Sequence, residues 1–458
     1  MLEKIHMANS DDPAAATLAA VEDRREMFDV PSSVPLEGYP YEKIYMKNCE
    51  NVIGYLPVPI GIVGPLMVDE VSRHVPFATT EGALISSINR GAKALSVSGG
   101  VETMIERVGI SRAPILECKD LSTVREVLAW LAENEQTVRE IFGKTTNHGK
   151  LIKYESHVVG TKIHLRLSVN SKDAMGMNMI TIGSENITNH IANALFPERV
   201  EVATLSGNMC TDKKASAVNW ILGRGFRGNA VATVKRDVLR KLLHCDVDDF
   251  VTLNHEKNFV GSSMANTVGG NNSHAANIVA AFYLATGQDI AQVGTSAMCL
   301  FNASKDKNGD LKLECMMPSM ELATVGGGTS LSAQRGCLSI TGAESSADLA
   351  KVVISSVMAG ELSLLAAQCA GHLASAHANL GRAGPAQAHN ATAASEGGAA
   401  SSSSSDGGGA AAAAEMKMKA DAMGASNKRR IHTAAAEANA DANADADLSF
   451  NTPTLPVP

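Results

Sequence analysis

The amino-acid sequence predicts an α+β fold, and three consecutive stretches carry that prediction. Residues 157–169 (HVVGTKIHLRLSV) alternate between apolar and polar side chains as a half-buried strand does. Residues 173–196 (DAMGMNMITIGSENITNHIANALF) follow a helical pattern, and residues 199–207 (RVEVATLSG) are again strand-like. The order strand, helix, strand predicts a small α+β unit in this part of the chain.

Length and composition are those of a globular protein with room for two or more domains. The chain has 458 residues, of which 45% are hydrophobic and 19% charged, and its net charge is -8. Basic and acidic residues are interspersed, so no basic surface of the kind that nucleic acid requires is predicted. The eight cysteines form no CxxC pair and no regular spacing. We therefore expect reduced thiols, with neither a metal site nor a disulfide framework.

The remaining segments follow in chain order. Residues 1–48 are polar and helical in pattern, without the features of a signal or transit peptide. Residues 49–112 contain ENVIGYLPVPIGIVGPLMV, a run of branched residues broken by proline and glycine that favours strands and tight turns. An amphipathic helix is predicted from about Ser346 to Leu380, and no run of 18 apolar residues indicates a membrane span. Residues 386–458 are rich in Ala, Ser, Gly and Asp, which predicts a disordered tail.

Three glycine-containing motifs invite a nucleotide-binding interpretation. GRGFRG (223–228) matches the dinucleotide fingerprint, but the following NAVATV favours a strand where that fingerprint needs a helix, so no Rossmann site is predicted. In KDAMGMNM, Asp173 is predicted to cap a helix, and Gly176 has no evident packing reason. That glycine indicates either close approach of another group or a tolerated residue in a Met-rich core face. TVGGGT (324–329) is either a flexible turn or a contact for phosphate or ribose.

Several isolated charged residues carry the chemistry. Lys213 and Lys214 in TDKK are either a solvated charge cluster or a cationic site for an oxygen that gains charge during a reaction. Glu81, Asp289 and His377 each stand among apolar or small residues, where a single ionisable group is usually structural. Together with a lysine, they form a set able to supply and accept protons around a charged oxygen.

Eight blocks of sequence, in order between Glu50 and Arg382, resemble the catalytic region of the eukaryotic-type (class I) 3-hydroxy-3-methylglutaryl-coenzyme A (HMG-CoA) reductases. The blocks are ENVIGYLPVPIGIVGPL, ATTEGA, DAMGMNMI, SGNMCTDKK, HAANIVAA, TGQD, TVGGGT and AGELSLLAAQCAGHL. The resemblance implies reduction of HMG-CoA to mevalonate and free coenzyme A by two hydride transfers from NADPH, in the mevalonate pathway to isoprenoids and sterols. An NAD-preferring degradative reductase of the same family is an alternative. A catalytically silent regulatory paralogue is another, although all four catalytic residues are present.

The resemblance also assigns roles to residues. Lys213 is implied to stabilise the oxyanion, Glu81 to give it a proton, Asp289 to act between the two, and His377 to protonate the departing thiolate. The implied substrate contacts are Arg112, Ser206, Asp212, Lys214, Lys257, His274 and Asn277. The implied NADPH contacts are Asp173, Met175, Gly176, Met177, Asn178, Val325, Gly326 and Gly327, and no metal is implied.

The same resemblance implies a domain organisation and an assembly. A large acyl-CoA-binding domain over 49–113 and 205–385 is expected to be interrupted by a small ferredoxin-like NADPH-binding domain over 114–204. A homodimer or a dimer of dimers with active sites across the interface is expected. The expected location is the cytoplasm, or the endoplasmic reticulum membrane for a longer form with an amino-terminal membrane domain. The chain departs from the family at Thr146–His148, where Ser-Arg-Phe is common, and at Ala383, where the family has a regulatory serine.

Overall fold

The structure, a computed structural model, describes residues 2–371. The α-helices of this part are α1 (Leu2–Ala8), α2 (Pro13–Met27), α3 (Tyr41–Ile44), α4 (Leu84–Val97), α5 (Leu121–Glu133), α6 (Glu135–Gly143), α7 (Met177–Asn189), α8 (Ala217–Leu222), α9 (Arg236–Leu243), α10 (Val247–Asn254), α11 (Ser262–Met264), α12 (Ala275–Thr286), α13 (Val293–Ser296), α14 (Ser332–Ile340) and α15 (Ser346–Cys369). The strands are β1 (Ile60–Val68), β2 (Val71–Ala78), β3 (Glu102–Arg112), β4 (Ile115–Cys118), β5 (Lys150–Val159), β6 (Lys162–Asn170), β7 (Val200–Thr204), β8 (Gly225–Val234), β9 (Leu300–Lys305) and β10 (Leu311–Met320). Helices α7 and α10 continue into π-helical turns, His190–Leu195 and His255–Gly261.

The strands form two antiparallel sheets. Strands β1 and β2 pair with each other alone, and the other eight join in the order β7-β4-β6-β3-β8-β10-β9, with β5 on β6. One edge of β6 pairs first with the end of β3 (Ile110 opposite Val169) and then with β4 (Ile115 opposite His164). The long strand β3 therefore connects two parts of the molecule, each with its own hydrophobic core.

The smaller of these parts is built from β4, α5, α6, β5, β6, α7 and β7 in chain order. Its strands lie in the order β7-β4-β6-β5, and its core includes Leu116, Phe142, Leu165 and Ile187. The single strand predicted over residues 157–169 is wrong, because β5 and β6 form a hairpin there. Gly160, with φ 59°, supplies the left-handed backbone conformation that reverses the chain.

Helix α7 begins later than the sequence predicts. Asp173 is not its cap. The residue before the helix is Gly176, whose φ of 90° favours glycine. A Cβ at Gly176 would lie 2.3 Å from the Cβ of Ser171, so packing also requires glycine here. The sequence showed no packing reason for Gly176, and the structure gives one, namely its close approach to Ser171.

The larger part is organised around α15, which is buried on all sides against α4, α12 and β8. The prediction of an amphipathic helix from Ser346 to Leu380 is therefore wrong in two respects. The helix is buried on all sides, and it ends at Cys369, followed by Ala370 and by Gly371 with φ 69°. A Cβ at Gly91 would lie 1.9 Å from the carbonyl oxygen of Ala359, which shows how closely α4 and α15 approach. Among the described helices, α15 alone is long and apolar enough to cross a membrane, and 89% of its most apolar stretch is buried inside the protein. Strand β8 confirms that the residues after GRGFRG form a strand.

Candidate active site

Lys213 lies on a loop whose backbone conformation is unusual. Asn208, Thr211 and Lys213 have φ values of 62°, 59° and 63°, a left-handed conformation that costs a non-glycine residue about 1–2 kcal/mol. The Thr211 hydroxyl donates to the Asn219 side chain at 2.5 Å, and the backbone N–H of Lys213 donates to Gln292 at 3.3 Å. Surrounding contacts thus fix the conformation of the loop that presents the lysine.

The ammonium of Lys213 faces the carboxylate of Asp289 across 4.0 Å. The two side chains remain 50% and 33% exposed, so the pair itself contributes little to stability. Asp289 follows the end of α12, where Gly287 (φ 71°) ends the helix. The arrangement leaves the lysine able to interact with a further anion.

Four of the predicted substrate residues meet beside this pair. The Arg112 guanidinium is 3.5 Å from the Asp212 carboxylate and donates to the Ser206 hydroxyl at 3.2 Å. Arg112 also donates twice to the Thr181 hydroxyl, at 3.0 and 2.9 Å, a contact that the sequence did not indicate. The Lys214 ammonium donates to the backbone oxygen of Asp212 at 3.0 Å. Arg112 at the end of β3 thus meets the loop that carries both lysines.

A buried polar network lies behind this loop, and sequence reasoning missed it. Arg224 donates to the Asp212 carboxylate at 3.0 Å and also pairs with Glu321, and the side chains of Arg224 and Glu321 are fully buried. Burial raises the pKa of Glu321 to about 7, against the lowering effect of Arg224. Burial opposes ionisation of Asp212 too, but Gln292, Arg224 and Arg112 outweigh it and hold the pKa of Asp212 below its usual value. Arg224 and Glu321 are isolated charges in apolar surroundings, the signal that singled out Glu81 and Asp289.

Glu81 lies elsewhere, beside the first turn of α12. Its carboxylate accepts a hydrogen bond of 2.8 Å from the Asn277 side chain. His274, three residues earlier, is 3.0 Å from the buried carboxylate of Glu361, which also accepts the backbone N–H groups of Ser273 and His274 at 2.7 Å each. The structure therefore brings Glu81, His274 and Asn277 to one end of α12.

Lys257 directly precedes a residue that contacts the segment before α12. It belongs to the π-helical turn His255–Gly261, whose buried Asn258 accepts a hydrogen bond of 3.0 Å from the Ser273 hydroxyl. His377, which is predicted to be catalytic, lies outside the described residues, and so does Ala383.

A cavity of about 440 Å³ lies between the start of α7 and the TVGGGT segment. Asp289 lines this cavity. Seven of the eight predicted cofactor residues line it too, namely Met175, Gly176, Met177, Asn178, Val325, Gly326 and Gly327. Gly326 and Gly327 have positive φ and open space where a Cβ would stand, so bare backbone faces the cavity. Such a surface fits the close approach of a dinucleotide's phosphates or ribose.

Asp173, the eighth, joins the walls of the cavity. Its backbone oxygen accepts the N–H groups of Thr324 and Val325 at 2.9 and 3.2 Å, and its carboxylate accepts two hydrogen bonds of 2.9 Å from Ser346. At the opposite wall, a Cβ on Gly287 would lie 2.4 Å from the oxygen of Gly328, so the end of α12 and the glycine-rich segment touch backbone to backbone. In the departing segment, the Thr146 hydroxyl accepts the N–H groups of His148 and Gly149 at 3.1 and 3.2 Å.

Residues 16–382 match the family model described as hydroxymethylglutaryl-coenzyme A reductase. A 3-hydroxy-3-methylglutaryl-coenzyme A reductase 1 of Dictyostelium discoideum is 40% identical over 381 residues, covering 80% of this chain and 69% of that protein. The reductase of Agrotis ipsilon is 44% identical over 356 residues, covering 75% of this chain and 42% of the relative. Reductase 1 of Candida albicans is 42% identical over 356 residues, and the match spans about a third of its length, 33%.

Among solved structures, a class II 3-hydroxy-3-methylglutaryl-CoA reductase from Streptococcus pneumoniae, bound to NADPH in open conformations, superposes with a TM-score of 0.58. It is 17% identical, and the superposition covers 70% of this chain and 87% of the other. That likeness concerns the fold, whereas the family model and the relatives at 40% identity and above concern the sequence. On these findings, the chain belongs to the hydroxymethylglutaryl-coenzyme A reductase family.

Proposed function

We propose that this chain reduces HMG-CoA to mevalonate and coenzyme A with NADPH as the hydride donor. The observation that carries the proposal is the pair formed by Lys213 and Asp289, because Asp289 also lines the cavity where seven predicted cofactor residues meet. A cation beside a dinucleotide site is what hydride addition to a carbonyl needs, since that step places negative charge on the oxygen. NADPH, when bound, supplies the hydride.

The chain's own residues supply charge stabilisation and substrate binding. The Lys213 ammonium stabilises the oxyanion, and Asp289 orients the ammonium. Arg112, Ser206 and Lys214 bind the substrate carboxylate, and Asp212 keeps the arginine in place. Support comes from the 3.5 Å and 3.2 Å contacts of Arg112 and from the conformation of the loop, which fixes the lysine backbone.

We further propose that each active site combines residues of two chains. Asn277 lies in the first turn of α12 and contacts Glu81, whereas Asp289 follows the last turn. Thr286 is nine positions after Asn277 on this helix, which corresponds to about 14 Å along its axis. A proton donor at one end cannot reach an oxygen held at the other, so Glu81 must come from a second copy.

Mixed subunits test this assembly. Glu81→Ala and Lys213→Ala chains are each expected to be inactive, and a statistical mixture of them should recover roughly a quarter of wild-type activity through hybrid dimers with one intact site. Lys213→Ala mixed with Asp289→Ala is the matched control and should recover none, since both residues belong to the same half-site. Equal recovery in the two mixtures, or none in either, would contradict the shared site.

His377 is proposed as the acid that protonates the coenzyme A thiolate. This step occurs once, between the two hydride transfers, so His377→Ala should lose thioester reduction by about 10²–10⁴ while retaining most of its rate on mevaldehyde. Glu81→Ala should fail with both substrates, since both yield an oxygen that needs a proton. Equal loss of both activities in the histidine variant would contradict its role.

We also infer that residues 114–204 form a ferredoxin-like domain inserted between 49–113 and 205–385. Strand order β7-β4-β6-β5, the order of helices and strands along the chain and a separate core support this. The two tryptophans permit a test, because Trp130 lies in the smaller part and Trp220 in the larger. Trp130→Phe and Trp220→Phe variants should show different urea midpoints by fluorescence, whereas coincident transitions would contradict independent domains.

A cytoplasmic location is proposed for this chain, and its eight free cysteines, six of them buried, are consistent with a reducing compartment. Fractionation of cells that express the chain, with a known cytoplasmic and a known membrane marker, tests the location. Recovery with the membrane marker would contradict it.

The overall activity is tested by following the absorbance of NADPH, and separately of NADH, with the purified chain and HMG-CoA. We expect consumption of NADPH and slower consumption of NADH. Equal rates would contradict the cofactor preference and favour the NAD-preferring alternative, for which the departure from the family at Thr146–His148 gives a reason in the sequence. No rate with either nucleotide would favour the silent paralogue.

A further inference from the structure

Two buried glutamines flank Asp289 in the segment TGQDIAQ. Gln288 is 7% exposed and Gln292 is completely buried. A buried amide needs partners for both its oxygen and its nitrogen, and these two amides find them in different parts of the candidate site. Neither residue belongs to the predicted site.

Gln292 holds the loop that carries Lys213. Its side-chain oxygen accepts the backbone N–H of Lys213 at 3.3 Å and a hydrogen bond from Arg224 at 3.2 Å, and its nitrogen donates to the Asp212 carboxylate at 2.8 Å. The chemistry of the partners fixes the orientation of the amide, because the donors face its oxygen and the carboxylate faces its nitrogen. One side chain therefore sets both the backbone at Lys213 and the carboxylate beside it.

Gln288 holds the other segment. Its oxygen accepts the N–H of Ala323 at 2.8 Å, and its nitrogen donates to the Ala323 oxygen at 3.0 Å, so the amide pairs with both groups of one residue. The next two residues, Thr324 and Val325, donate to the backbone of Asp173 across the cavity. Gln288 thereby fixes the start of the glycine-rich segment that lines the cavity.

We propose that Gln292 and Gln288 are positioning residues with divided roles: Gln292 places Lys213 for charge stabilisation, and Gln288 places the glycine-rich segment for the nucleotide. The inference deepens the proposed function and rests on it for the identity of the reaction. Asp289 lies between the two glutamines in the sequence. Gln292 connects this segment with the loop of Lys213, and Gln288 connects it with the glycine-rich segment.

Gln292→Met removes all three hydrogen bonds with little change in volume. We expect kcat to fall about 10- to 100-fold, as for a small misplacement of a catalytic group, with the dissociation constant for NADPH within about twofold of wild type. Amide hydrogen exchange of peptides covering residues 206–214 should become faster in this variant, a readout that needs no turnover. Wild-type kcat with unchanged exchange would overturn the role.

Gln292→Glu provides a second test that holds if the methionine variant fails to fold. A protonated glutamic acid can still accept from Lys213 and donate to Asp212, whereas its carboxylate repels Asp212. The activity of this variant relative to wild type should therefore rise as the pH falls from about 8 to about 6. The charged groups around position 292 are Asp212, Lys213, Arg224, Asp289 and Glu321. A ratio that does not change with pH would contradict the hydrogen-bonding role, because a role of volume alone has no such dependence.

Gln288→Met is the matched variant on the other side. The substitution removes three hydrogen bonds, two with Ala323 and one of 3.3 Å to the Thr286 hydroxyl. We expect the dissociation constant for NADPH, measured by the fluorescence of the bound nucleotide, to rise about tenfold, with exchange at 206–214 unchanged. If both variants change both readouts alike, the division of roles is wrong. NADPH binding and amide exchange do not depend on HMG-CoA, so a wild-type chain that binds NADPH but reduces no HMG-CoA refutes the proposed function and not the division.

Discussion

Arg224 donates a hydrogen bond of 3.0 Å to the carboxylate of Asp212 while its own side chain is completely buried. Arg224 also pairs with buried Glu321, so its removal leaves a carboxyl group deep in the protein without its cation. Arg224→Met is expected to lower the free energy of unfolding by about 3–5 kcal/mol, measured by urea denaturation. Arg227→Met is the control, because Arg227 pairs at 3.7 Å with a Glu106 side chain that is 62% exposed, and its loss should cost less than about 1 kcal/mol. Similar losses for the two variants would contradict the buried network.

Glu321 is expected to make stability depend on pH. Its pKa rises from 4.5 to about 7 on folding because of burial, so between these values the folded state binds more protons than the unfolded state. Stability contributed by the protonated carboxyl is complete below about pH 4.5 and is lost as the pH rises to about 7, by up to about 3 kcal/mol.

Glu321→Gln tests this dependence, since an amide does not titrate. Unfolding free energies of the variant should change less than those of wild type between about pH 4.5 and about pH 7. Asp212 affects stability in a more acidic pH range, because its pKa is lowered on folding. Its contribution to the free energy of unfolding is lost only as the pH falls below the usual pKa of an aspartate. Parallel pH profiles for variant and wild type would rule out Glu321 as the titrating group.

Adjacent lysines are expected to differ in kinetic effect. Lys213→Ala should lower kcat by about 10²–10³ or more, since it removes the charge that is proposed to stabilise the developing oxyanion. Lys214→Ala should chiefly raise KM for HMG-CoA, because Lys214 donates to the loop backbone at Asp212 and is proposed to bind the substrate. Steady-state kinetics of the two variants decides the point. A kcat of Lys213→Ala within tenfold of wild type would support the interpretation of TDKK as a solvated charge cluster.

Thr181 is expected to matter through Arg112. Its hydroxyl accepts two hydrogen bonds from the guanidinium, at 3.0 and 2.9 Å, so Thr181→Val should release Arg112 and raise KM for HMG-CoA about 3- to 10-fold. Thr188→Val on the same helix is the matched control, since the Thr188 hydroxyl donates to the Ser184 oxygen one turn away. An equal change of KM in the two variants would point to a general effect on α7.

Local patterns predicted the features that depend on neighbouring residues, and failed where distant segments decide. The strand after GRGFRG is confirmed by β8, because alternation within ten residues suffices to indicate it. The burial of α15 on all sides could not be predicted, since α4, α12 and β8 come from far along the chain.

The same contrast holds at the site. Motifs located the cavity residues around Gly176 and Gly326, and the charged signal located Asp289. Gln292 carries no local signal, because a glutamine becomes informative only when tertiary structure buries it against Lys213 and Asp212. The distance between Glu81 and Asp289 likewise follows from the length of α12 and not from either motif.

The contact between Gly287 and Gly328 restricts how this site can vary. An alanine at Gly287 would place its methyl group 2.4 Å from the Gly328 oxygen, and an alanine at Gly328 would lie 2.6 Å from the Gly287 oxygen. Either methyl group would push two main chains apart, because the nearest atoms are backbone atoms and not the end of a flexible side chain. The segment that carries Asp289 and the glycine-rich segment that lines the cavity therefore cannot change in sequence independently of each other. A substitution at one glycine requires a compensating change in the other segment.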